Sequence, residues 1–108
     1  MSHNKTFCFD IDGVIMTLVE DNDYNKAEPI KENINVINRL YKQGHYIILH
    51  TARGYVTKID WRETTERQLM EFDVKYHELH FGKPAADFYI DDRMTSFEEI
   101  NEKFLLYG

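Results

Sequence analysis

Thr6-Phe7-Cys8-Phe9-Asp10-Ile11-Asp12-Gly13 is the stretch on which the reading of this chain turns. An apolar run that becomes acidic at its C-terminal end reads as a buried strand with a polar mouth. Side chains alternate along extended backbone, so Asp10 and Asp12 lie on one face. Two carboxylates that close repel, at a cost of order 4 kcal/mol for about 4 Å in an effective dielectric of about 20. Gly13 then allows a sharp change of chain direction.

Working outward, the same pattern recurs. His45 to His50 is a second apolar strand that ends in polar residues, Thr51 and Arg53. Val74 to Phe81 reads as a third extended segment, and Asp87 to Ile90 as a fourth that runs into Asp91-Asp92. Between them lie helical patterns. Pro29 suits a first helical turn, with Ile30, Ile34, Ile37 and Tyr41 on one apolar face, Leu40 beside them, and Gly44 as a left-handed cap. Asp60 with Glu63 resembles a capping box, and the helix it opens runs to about Phe72, burying Leu69, Met70 and Phe72. Ser96 with Glu99 opens a last helix through about Leu105. Val14 to Glu28, with Glu20-Asp21-Asn22-Asp23 inside it, reads as a surface flap or hairpin.

Strands alternating with helices imply an α/β fold: a mainly parallel sheet with helices on both faces, a three-layer Rossmann-like core. In such sheets the functional crevice lies beyond the carboxyl ends of the strands, and every polar cluster named above sits at such an end. The 108 residues make one domain, 1–108, of roughly 13 Å radius of gyration. The 15 aromatics, seven Phe, seven Tyr and one Trp, exclude a disordered tail. The formal charge of −6 argues against nonspecific nucleic-acid binding, which needs a basic surface. A single cysteine, Cys8, excludes an internal disulfide and fits a reducing compartment. Tyr46-Ile47-Ile48-Leu49 is too short to span a bilayer, and the N-terminus has no signal-peptide pattern. The expectation is a soluble, cytoplasmic protein with no membrane partner.

Asp10, Asp12, Asp91 and Asp92 against Lys83 alone leave a deficit of three charges. A divalent cation would relieve it, and an oxygen-only ligand set favours magnesium. Here the chain resembles a known family. Phe7-Cys8-Phe9-Asp10-Ile11-Asp12-Gly13-Val14 resembles the first motif of the haloacid dehalogenase-like superfamily, and Leu49-His50-Thr51 its second. Lys83, in Gly82-Lys83-Pro84, resembles its third, and Tyr89-Ile90-Asp91-Asp92 its fourth, all in family order. More narrowly, Thr51-Ala52-Arg53-Gly54 and Phe81-Gly82-Lys83-Pro84 are similar to small phosphatase-like proteins encoded with capsule and lipopolysaccharide biosynthesis.

The resemblance implies a magnesium-dependent phosphomonoesterase. Asp10 would be the nucleophile that forms an aspartyl-phosphate, and Asp12 the acid that protonates the leaving oxygen and then activates water. Magnesium would bridge Asp10, the main-chain carbonyl of Asp12, and Asp91, with Asp92 direct or through water. Thr51 would donate to a phosphoryl oxygen, and Lys83 would supply positive charge in the transition state. Arg53 and Arg93 lie just past the motifs, and either would suit a substrate anion; Arg53 is the stronger candidate. Val14 stands where many family phosphatases carry Thr.

Other signals lead elsewhere. A tyrosine-phosphatase loop would need Arg six positions after Cys8, where Val14 stands, so Cys8 reads as a small buried strand residue. His77 and His80 fall on opposite faces of a strand and make a poor metal pair. A receiver-type phospho-acceptor domain has a similar residue set, but in another order: here Thr51 precedes Lys83, and the adjacent acidic pair comes last. A non-catalytic domain on the same fold is the remaining alternative.

Family members often insert a cap domain after the first motif or between the second and third. Here those intervals, Val14 to Glu28 and Ala52 to Gly82, hold 15 and 31 residues, too few for a folded cap. The pocket is therefore open unless a large substrate covers it or a neighbouring subunit caps it, as in the tetrameric phosphatases of the octulosonate pathway that the chain distantly resembles. Val14 to Glu28 and Gly54 to Ile59 would then touch the neighbour. The expected substrate is a small phosphorylated sugar or related metabolite.

Overall fold

The computed structural model describes residues 4–54, 58–81 and 87–90. Lys83, Asp91, Asp92, Arg93 and the helix expected after Ser96 lie outside the described residues.

Among the described residues four parallel strands form one sheet in the order β3-β2-β1-β4: β1 Thr6–Asp10, β2 Tyr46–His50, β3 Glu78–His80 and β4 Phe88–Ile90. β1 is flanked on both sides, pairing Phe9 with Leu49 on one side and Ile90 on the other. Phe7, Cys8 and Phe9 are fully buried, as a central strand covered on both faces requires. The chain runs outward from β1 through β2 to β3 and then returns to β4 on the far side of β1. That reversal makes the carboxyl end of β1 the topological switch point, where α/β sheets bind ligands. Asp87 locks the return: its N–H donates to the Thr6 carbonyl, and its carboxylate accepts from the Thr6 N–H at 2.7 Å.

Helix α1, Lys31–Lys42, buries Ile34, Ile37 and Leu40 against Phe7, Phe9, Ile47 and Leu49. Each such side chain contributes about 2 kcal/mol when fully buried. The helix starts two residues after Pro29, which is instead paired with Met16 in the flap. Tyr41 lies at the edge of the apolar face: its ring stacks on His77 at 4.6 Å and stays 37% exposed. Gly44 ends the helix at φ 95°, with Gly44 N–H donating to Tyr41 and His45 N–H to Leu40. These two bonds form a Schellman motif.

Helix α2, Arg62–Glu71, departs from expectation at its start and on its buried face. Asp60 accepts from the N–H of Arg62, an Asx turn, in place of a capping box with Glu63. Met70 is 83% exposed, and the buried residues are Thr65, Gln68 and Leu69. Helical geometry explains it: 65, 68, 69 and 72 share one stripe, and 70 lies off it. The first half of that stripe is polar because of what it holds, as described below.

The flap is a hairpin. Met16 pairs antiparallel with Pro29, and Thr17 N–H donates to the Glu28 carbonyl. At its tip Asp21 and Asn22 have φ of 60° and 55°, the left-handed pair that a type I′ turn demands. The segment 14–28 holds only this hairpin and a 3-10 turn at Tyr24–Lys26, and among the described residues between β2 and β3 the only helix is α2.

Candidate active site

The carboxyl ends of β1 and β2 bring Asp10, Asp12 and Thr51 to one place. Asp10 closes β1 beside His50, and Ile11 N–H extends the ladder to the His50 carbonyl. The chain then folds tightly around one acceptor, as Ile15 and Met16 both donate N–H to the Ile11 carbonyl at 2.9 and 3.0 Å. Gly13, at φ 91°, makes that turn. The turn swings Asp12 over the end of β2.

Both carboxylate oxygens of Asp12 are engaged. Thr51 Oγ1 donates to Oδ2 at 2.7 Å, and Arg53 Nε donates to Oδ1 at 3.0 Å. The Thr51 hydroxyl also accepts from Arg53 N–H at 3.1 Å. Thr51 carries one hydroxyl proton, and in this structure it is donated to Asp12.

Arg53 departs from the expected anion clamp. Its side chain is fully buried, and the guanidinium faces inward. Nη1 donates to Thr65 Oγ1 at 3.0 Å and to Gln68 Oε1 at 2.7 Å, Nη2 lies 3.4 Å from Met16 Sδ, and the group sits 4.6 Å above the Tyr24 ring. Gln68 Nε2 in turn donates to the Tyr24 carbonyl at 2.7 Å. Burial, followed by the charge of Asp12, pushes the Tyr24 phenol above its ordinary range, and Arg53 opposes that shift. Asp12 therefore has its own counter-ion in Arg53.

Thr65, Gln68, Tyr24 and Met16 are the residues sequence reasoning missed. The signal was available for two of them, since Thr65 and Gln68 occupy core-facing positions on the stripe that continues through Leu69 and Phe72. Tyr24 and Met16 carry no such mark, because the hairpin alone brings them to Arg53.

The loop after Arg53 depends on Gly54, which sits at φ 85°, and a Cβ there would come within 2.3 Å of the Ile59 carbonyl oxygen. Beside this loop opens a cleft of about 330 Å³ walled by Arg53, Lys58, Asp60, Trp61, Arg62 and Phe81. Arg62 caps it from above the Phe81 ring at 4.6 Å. The indole N–H of Trp61 is buried with no acceptor among the described residues.

Among the described residues no three Asp, Glu, His or Cys side chains come together as a metal site. Asp10 stands at the end of β1, and Asp91 and Asp92 follow Ile90, the partner of Phe9, directly in the sequence. The Asp12 carboxylate is already bound by Thr51 and Arg53, which leaves its main-chain carbonyl for a metal. His77 and His80 have other roles: Nδ1 of His77 accepts from Ile47 N–H, and His80 Nε2 bonds Glu78 at 2.6 Å. Cys8 is buried in β1.

Among curated proteins none is similar enough in sequence to match. Solved structures do match. A conserved protein from Bacteroides thetaiotaomicron superposes with a TM-score of 0.72 at 19% identity, over 98% of this chain and 93% of that one. A protein from Vibrio cholerae gives a TM-score of 0.72 at 26% identity, over 95% and 92%. A chain of the Pnkp1/Rnl/Hen1 RNA repair complex gives 0.57 at 18%, covering 97% of this chain but 33% of that one. The profile of the haloacid dehalogenase-like hydrolases matches residues 7–75, which carry Asp10, Asp12, the Thr51–Arg53 turn and helix α2. The chain therefore belongs to the haloacid dehalogenase-like hydrolase family.

Proposed function

We propose that this hydrolase is a magnesium-dependent phosphomonoesterase that works through an aspartyl-phosphate, on a small phosphorylated sugar or related metabolite. The observation that carries the reading is the placement of two acids on either side of Ile11. Asp10 ends a strand at the switch point, while Asp12 is held at both oxygens by Thr51 and Arg53. That division suits a nucleophile and an acid–base partner.

In the first half-reaction the Asp10 carboxylate attacks phosphorus, the bond to the leaving oxygen breaks, and Asp12 gives that oxygen its proton. In the second, Asp12 takes a proton from water as the water oxygen attacks phosphorus, and the bond to Asp10 breaks to release inorganic phosphate. Thr51 orients Asp12 and, once Asp12 is protonated, has its hydroxyl proton available for a phosphoryl oxygen. Lys83 supplies positive charge to the equatorial oxygens. Magnesium, held by Asp10, the Asp12 carbonyl, Asp91 and Asp92, would lower the repulsion between the carboxylate and the phosphoryl group. The cleft beside Arg53 accommodates the leaving group, and its volume lies at the small-ligand end of the usual range.

The pocket is closed by a second copy of the chain. Leu18 on the flap and Ile59 on the loop, in the two segments that flank the site, are 67% and 54% exposed. A neighbour seated there would exclude water from the reaction.

The test is turnover of a panel of phosphomonoesters by wild type and Asp10→Asn, with and without chelator. Wild-type turnover that stops on chelation and returns with magnesium, and a folded but inactive Asp10→Asn, are the expected results. Activity that survives the substitution would remove Asp10 as nucleophile.

A further inference from the structure

Arg53 is the least expected feature of the site, and its burial needs a reason. Removing a guanidinium from water costs several kcal/mol, and a single counter-ion seldom recovers that cost. Among the described residues the only formal counter-charge in contact is Asp12, and the other printed donors go to neutral groups, Thr65, Gln68 and Met16. The fork is used at full span: Nε reaches Asp12 at one end, and Nη1 reaches two side chains of α2 at the other. A lysine could not do both, because its ammonium is a single point with no planar fork. Binding a substrate anion would need an exposed guanidinium, whereas this side chain is fully buried.

We propose that Arg53 is a positioning residue that ties the Asp12 carboxylate to α2 and the flap, and so holds it in line for proton delivery to the leaving oxygen. The inference rests on the phosphomonoesterase reading above. It assigns Thr65 and Gln68 as the anchor, since both bond to the guanidinium end remote from Asp12. Tyr24 and Met16 close the other side, so the hairpin and the helix meet on one side chain. Asp12 itself, 19% exposed at the side chain, is the end of the assembly that faces solvent.

A leaving-group comparison separates positioning from general structural support. The ratio kcat/KM reports steps up to departure of the leaving group. An alkyl phosphate needs its leaving oxygen protonated; a dinitrophenyl phosphate does not. In Arg53→Met, kcat/KM for the alkyl ester should fall about 100-fold, the low end of what a general acid contributes, and by less than about 3-fold for the dinitrophenyl ester. Arg53→Lys should recover only part of the loss. If Arg53→Met does not fold, the Thr65→Val, Gln68→Leu pair, which leaves the Arg53–Asp12 contact in place and frees its far end, should show the same selective loss. Equal losses on both esters overturn the positioning role and leave the phosphatase reading intact. A wild type that hydrolyses neither ester overturns that reading, and the inference with it.

Discussion

Asp12 and Arg53 show how a sequence neighbour and a distant residue share one task. Asp12 reaches its place through Gly13, and Arg53 through a turn in which Thr51 accepts its N–H. Residues outside the site carry consequences of their own. His45 is buried against the edge of the Phe7 ring, and its Nδ1 accepts the N–H of Lys5, an arrangement that requires a neutral ring at that nitrogen. Burial holds its pKa below the ordinary 6.5. With a depressed folded pKa, the unfolded chain takes up the proton first as pH falls, so stability is complete above about 6.5 and declines below it, down to the folded pKa. In His45→Gln that component should vanish. Urea midpoints measured from pH 7.5 to 5 check it, and an unchanged pH slope in the variant would remove His45 as its source.

At the level of elements, the two helices end alike and differ in residue. Both close with Schellman bonds, α1 on Gly44 at φ 95° and α2 on Asp73 at φ 56°. Left-handed backbone costs a residue with a Cβ about 1 kcal/mol or more relative to glycine. Gly44→Ala should therefore destabilise by about 1–2 kcal/mol. Asp73→Gly should stabilise by about 0.5–1 kcal/mol, since the ion pair it gives up with Lys75 is exposed and worth little. Denaturant melts of the two variants, read side by side, test the opposite signs. Much of this level was readable from the chain. Gly44, the Ile34–Ile37–Leu40 stripe and the hairpin tip each follow from local propensity. Helix α2 was not, because its buried stripe is half polar, and a reading that seeks apolar residues moves to Met70, which faces solvent at 83% exposure.

For the molecule as a whole, the short intervals around the first two motifs become a statement about assembly. The described part of the chain places only a hairpin with a 3-10 turn, one helix and strand β3 where a cap would be inserted, and two large aliphatic side chains in these segments, Leu18 and Ile59, lie exposed. Replacing both, Leu18→Glu with Ile59→Glu, should lower the mass seen by light scattering to one chain and reduce turnover in the same preparation. A single-chain mass for fully active wild type would overturn the neighbour-as-cap proposal.

What the sequence by itself determined were the strands, their parallel arrangement and the acids at the end of β1. These follow from periodicity and from chain connectivity, both of which are local or nearly so. The identity of Asp10, Asp12 and Thr51 as site candidates came the same way, from motif order along the chain. The placement of Arg53 was decided only by the tertiary structure. An arginine two residues past a strand end is equally suited to solvent, to a substrate anion or to an inward pair, and nothing within a few residues of it separates the three. The separation comes from Thr65 and Gln68 on a helix, and Tyr24 and Met16 on a hairpin. Their acceptors and ring face converge only after the sheet has formed, and that convergence is what compensates a buried charge.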